Sequence, residues 1–207
     1  VLQFCSNDFV NNHYDLELSS VVANNGLRRP YVTIDGDTIY AIPKKFSFVR
    51  DFVIKHSRLA YYVLSRLDMI NAGRESVEDE IRERGLAVED FADAVVITDR
   101  LIGSIRECIP DRTPLCVFTV DEDEPFFSEM KRILRRRSIP FIGGVSRELA
   151  KAEEKGVPIR AADRMHWNEE GHRIVAREIE RYLQPLLSTE DRSAGALGDS
   201  SLLRPPG

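Results

Sequence analysis

Apolar positions along the chain fall into short β-rich runs and longer stretches of helical spacing. The first run, Val1 to Phe4, gives way to the polar turn Cys5-Ser6-Asn7-Asp8. That turn would sit at the carboxyl end of a strand, where α/β sheets place ligands. Residues 11 to 29 are polar, include Asn24-Asn25-Gly26, and read as loop. Tyr31-Val32-Thr33-Ile34 and Asp37-Thr38-Ile39-Tyr40 then flank Asp35-Gly36, a strong short-range hairpin signal. From Phe46 to Leu67 the apolar residues Phe48, Phe52, Val53, Leu59, Ala60, Val63, Leu64 and Leu67 predict a helix of about six turns. The aromatic stripe Phe46, Phe48, Phe52, Tyr61 and Tyr62 is expected mostly to pack, although Tyr61 and Tyr62 cannot both face inward.

Further along, Glu75 to Arg84 predicts a short exposed helix ended by Gly85. A second long helix is expected from about Val88 to Ile109, with Phe91, Val95, Ile102 and Ile105 inward. Pro114 to Val120 has the continuous apolar character of a buried strand. A helix from Pro125 to Arg137, a strand from Pro140 to Gly143 and a helix from Ser146 to Lys155 follow. Asn168 caps a terminal helix with Ile174, Val175, Ile179, Tyr182 and Leu183 on one face, and Pro185 is expected to stop it. This alternation predicts an α/β fold of three layers, α/β/α, with right-handed crossovers and a parallel sheet covered on both faces.

The 207 residues carry 29 Lys and Arg against 34 Asp and Glu, a net charge of −5, with 43% hydrophobic and 30% charged residues. These proportions exclude a disordered or fibrous chain, and mild acidity argues against nucleic acid as the main partner. No run approaches the roughly 18 apolar residues of a membrane span. Cys5, Cys108 and Cys116 form no CxxC pair and read as small buried hydrophobes. The chain opens at Val1 within its first apolar run, so it is expected to lack the protein's beginning, and no compartment is read from it. Residues 188 to 207, rich in Ser, Gly, Asp and Pro, are expected to form a disordered tail.

Candidate chemistry concentrates in two segments. Asp163-Arg164-Met165-His166 leads into the terminal helix; an Asp three residues before a His can orient the imidazole and leave its other nitrogen free as a base. Taken alone, the same Asp can simply stabilise a turn. Asn7 can donate to an oxyanion, or Asn7 and Asp8 can make an Asx turn. His13 either lines a pocket or is a solvated loop residue, and His56 should be partly buried and hydrogen-bonded. His172 lies six residues beyond His166 and is read as structural, since no HxH or HExxH pattern supports a metal. The basic run Lys131, Arg132, Arg135, Arg136 and Arg137 suits a solvated helix face and its C-terminal turn.

In combination, a strand ending in Cys5-Ser6-Asn7-Asp8, alternating α/β units, and Asp163-x-x-His166 followed by Gly171-His172 resemble the SGNH hydrolases, the GDSL-type esterases and lipases. The resemblance covers about Val1 to Leu187. Cys5 stands where that family's third block, Gly-x-Asn-Asp, has glycine. The resemblance implies a flavodoxin-like parallel sheet, with His166 as general base, Asp163 orienting it, and Asn7 as an oxyanion donor. It implies a small-molecule, carbohydrate or lipid ester as substrate, and neither cofactor nor metal. The nucleophilic serine belongs to a Gly-Asp-Ser block ahead of the third block, so this chain by itself is expected to be inactive; Gly198-Asp199-Ser200 is a coincidence in the tail. Residues 11 to 71 are expected to form an inserted cap with a hairpin and long helix, within a hydrolase domain spanning 1 to 187. A sugar O-acyltransferase or carbohydrate deacetylase on the same fold, and a noncatalytic interaction domain, are the alternatives.

Overall fold

The computed structural model describes residues 1–20, 30–40, 52–53, 55–63, 76–111, 113–162 and 166–196, with the backbone alone at Leu18 and at 186–196. It is a mixed structure of helix and strand, predominantly helical, with a two-stranded parallel sheet and a separate antiparallel hairpin. The chain divides into two compact units, one of Val1–Val117 with Asp121–Pro140, the other of Phe118–Val120 with Phe141–Gly207.

Strand β1 (Leu2–Phe4) pairs with β4 (Val117–Thr119); within the first unit, which holds β1 and Val117, the Leu2 N–H donates to the Cys116 carbonyl at 2.8 Å. The strands are short, but Cys116 and Val117 are fully buried, as the continuous apolar run predicts. Helix α1 (Asn7–Asn12) begins within the expected polar turn and runs into the segment 11–29 expected to be loop, where α2 (Tyr14–Ser19) follows. Composition hid them because the segment is polar overall, yet Phe9, Val10 and Leu16 are all buried, and that burial outweighs a weak local propensity. The Phe9 ring meets Phe4 at 5.1 Å, Phe91 at 5.7 Å and Phe126 at 6.3 Å, the first two edge-on, and Phe91 meets Phe126 at 5.2 Å. Such edge-to-face pairs add ~1 kcal/mol each beyond the area they bury.

Phe91 belongs to α4 (Glu89–Cys108) and Phe126 to α5 (Phe126–Arg136). Phe91, Val95 and Ile102 face inward as expected, whereas Ile105 is exposed near the end of the helix. The short helix ended by Gly85 is α3 (Val77–Arg84), capped by the Ser76 hydroxyl, which accepts from Asp79 N–H at 3.1 Å. The hairpin is also as expected: β2 (Pro30–Val32) pairs antiparallel with β3 (Thr38–Tyr40) in the register Tyr31 to Ile39. Gly36, at φ 95°, supplies the left-handed turn residue. Buried Tyr31 anchors the hairpin by donating from its hydroxyl to Glu17 at 2.6 Å, and Arg100 donates to the Thr33 carbonyl at 3.1 Å.

Parts of the long 46–67 stretch are helical, at 52–53, 55–56 and 58–63. The expected packing is not found there: Phe52, Tyr61 and Tyr62 are all exposed, as are Leu59 and Val63. Helical spacing marks a face that could be buried and does not supply the surface that buries it.

In the second unit, α6 (Val145–Glu154) packs against α7 (Glu169–Ala196) around Ile142, Val145, Leu149, Ile159 and Val175. Pro140 to Gly143, expected as a strand, holds only an isolated bridge residue at 141. Two further expectations are corrected. Pro185 lies inside α7, which continues to Ala196, so residues 188–196 of the expected tail are helical; 197–207 lie outside the described residues. Proline removes one backbone donor and crowds the preceding turn without forbidding helix on either side.

Candidate functional site

The first block is built on the carboxyl end of β1. The Asp8 carboxylate accepts from the Cys5 N–H at 2.7 Å, and the Asp8 N–H donates to the Cys5 carbonyl at 2.9 Å. Ser6 is held from a distant part of the chain: its hydroxyl donates to one carboxylate oxygen of Asp121, and its N–H to the other at 3.4 Å. Asp121 stands two residues past the end of β4, so the turns leaving the two paired strands are tied together. Between these fixed neighbours Asn7 is exposed, and its carboxamide makes no hydrogen bond among the described residues.

The Asp8 carboxylate thus reaches back three residues to the Cys5 N–H, which is not the forward bond of the Asx turn weighed from sequence. Cys5 is half-buried, and its thiol is pushed up to about 11, first by burial and then by the carboxylates of Asp8 and Asp121. A thiol held protonated is a poor nucleophile, which agrees with a packing role for Cys5. Asp121 is the residue that sequence reasoning missed; its signal was only its position immediately after the β4 run.

The second block lies in the other unit. Two antiparallel contacts frame the loop before α7: the Ala161 N–H donates to the His166 carbonyl at 2.8 Å, and the Asn168 N–H to Ile159 at 2.9 Å, with a bridge between Arg160 and Trp167. Asn168 caps α7 as expected, its carboxamide oxygen accepting from Glu170 at 2.9 Å and Gly171 at 3.0 Å. Its amide nitrogen reaches the Pro158 carbonyl at 2.5 Å. His166 thus sits two residues before a capped helix, with its side chain exposed. Asp163, its expected orienting partner, lies outside the described residues.

The remaining histidines have structural settings. His13 is buried and caps α2, its Nδ1 accepting from the Leu16 N–H at 3.3 Å, so it is neither a solvated loop residue nor a pocket wall. His56 is exposed and stacks on Phe52 at 4.4 Å rather than being partly buried. The His172 ring meets Trp167 edge-on at 5.7 Å. Within the basic run, Arg132 pairs with Glu129, while Arg136 and Arg137 both pair with Asp99 on α4. The Asp99 carboxyl is partly buried, which alone would raise its pKa, but the two guanidinium groups hold it below the usual range.

No group of residues able to hold a metal ion occurs among the described residues, and no described helix is long and apolar enough to cross a membrane. No family model, curated protein or solved structure matches the chain.

Proposed function

We propose that this chain is the larger part of an SGNH-type serine ester hydrolase. The observation that carries the proposal is the state of the first turn: Ser6 and Asp8 are spent on holding the backbone, while Asn7 stands exposed with an uncommitted carboxamide. An amide donor carried by a held backbone at the carboxyl end of a sheet strand can serve a tetrahedral oxyanion.

In the proposed reaction His166 takes the proton of the attacking serine hydroxyl and later returns it to the leaving alcohol. Asp163 orients the imidazole, and Asn7 donates to the oxyanion of each tetrahedral intermediate. Water then cleaves the acyl-enzyme. The serine is sought in a Gly-Asp-Ser block ahead of the third block, in the order the family resemblance gives. The reaction needs neither metal nor nucleotide. The exposure of His166 suits a base that must exchange protons with substrate. Within the proposal the two-stranded parallel pair is part of a three-layer, flavodoxin-like sheet in one domain spanning 1–187, and residues 11–71 form a cap over the substrate. The Tyr31-anchored hairpin belongs to that cap.

Hydrolysis of p-nitrophenyl acetate by the full-length protein and its His166→Ala variant tests the proposal. Turnover should fall by roughly three to four powers of ten or more in the variant; turnover near that of the unaltered protein would refute the role of His166.

A further inference from the structure

We infer that Asp121 is a positioning residue for the Asn7 carboxamide, acting through Ser6. The inference rests on the oxyanion role proposed for Asn7, and it adds a residue that no motif of the resemblance contains.

Asp121 and Ser6 are 115 positions apart, yet they meet because β1 and β4 are paired and each residue stands just past its strand. The contact is made at two points, from the Ser6 hydroxyl to one carboxylate oxygen and from the Ser6 N–H to the other. Two donors on one residue suit the two oxygens of a carboxylate; an asparagine in that place would turn its own amide donors toward one of them. On the far side of Asn7, the Cys5–Asp8 pair of hydrogen bonds closes the turn, and the next residue, Phe9, is fully buried among Phe4, Phe91 and Phe126.

Asn7 is therefore pinned on both sides while its own side chain is left for another use. A donor whose backbone is held in place before the reaction begins needs less reorganisation when negative charge develops, and a small displacement of that backbone moves the donor away from the charge. Asp121 does not touch the reacting atoms in this account. Its effect passes through the backbone of Ser6 to the one side chain between the two fixed points.

The test is a double-mutant cycle on ester hydrolysis by the full-length protein, with Asp121→Ala, Asn7→Ala and the two combined. Asp121→Ala should lower kcat by about tenfold or more with KM little changed. In the Asn7→Ala background the same substitution should cost less than about threefold, because the donor it positions is already gone. Ser6→Ala, which removes the hydroxyl contact and keeps the N–H contact, should show the same coupling at smaller size and serves where Asp121→Ala folds poorly. Equal losses in the two backgrounds, or an unchanged kcat in Asp121→Ala alongside a large loss in Asn7→Ala, would overturn the inference and leave the hydrolase intact. An unchanged kcat in Asn7→Ala itself would overturn the oxyanion role and the inference together.

Discussion

The turn from Cys5 to Asp8 is held at two points, by the Asp8 carboxylate on the Cys5 N–H and by the Asp121 carboxylate on Ser6. The same surroundings set the chemistry of Cys5. With the thiol at about 11, only about one part in a thousand is thiolate at pH 8. Ellman's reagent at pH 8 should therefore modify exposed Cys108 quickly and Cys5 far more slowly, and the Cys5 rate should rise steadily as pH approaches 11. Two fast thiols at pH 8 would show that the carboxylates and burial around Cys5 do not act as described.

At the scale of elements, α4, α5 and α6 were the most legible, each starting and stopping within about a residue of the pattern that predicts it. Periodicity failed where burial rather than pattern decides, at α1 and α2, which are short and polar, and at 52–63, whose apolar residues are exposed. The start of α7 combines both kinds of information. Asn168 is a readable cap, whereas the need for glycine at 171 appears only in three dimensions, since a Cβ there would lie 2.7 Å from the Ile159 carbonyl oxygen and 2.8 Å from Trp167 Cβ. Replacing glycine by alanine inside a helix ordinarily gains ~1 kcal/mol. Here the added carbon meets backbone and a ring stem that cannot swing aside. Gly171→Ala should therefore lower unfolding stability by about 1–3 kcal/mol in denaturant titration; a stabilised variant would mean that the loop carrying His166 packs less closely on α7.

For the molecule as a whole, alternation of apolar runs with helical stretches gave the mixture of helix and strand, but the number of paired strands was beyond it. Parallel pairing is long-range and leaves no local mark on the strand it joins. The two candidate segments were read as residue types and spacings; Asn7 opens α1 three residues past β1 and His166 stands two residues before the Asn168 cap, while Asp163 lies outside the described residues. The most direct measurement of the central claim is labelling of the full-length protein with a fluorophosphonate, followed by peptide mapping of the modified serine. One labelled serine is expected, in a Gly-Asp-Ser block that precedes the Cys5–Asp8 turn, with labelling lost in His166→Ala. No labelling, labelling at Ser6 or Ser200, or labelling that persists without His166 would contradict it.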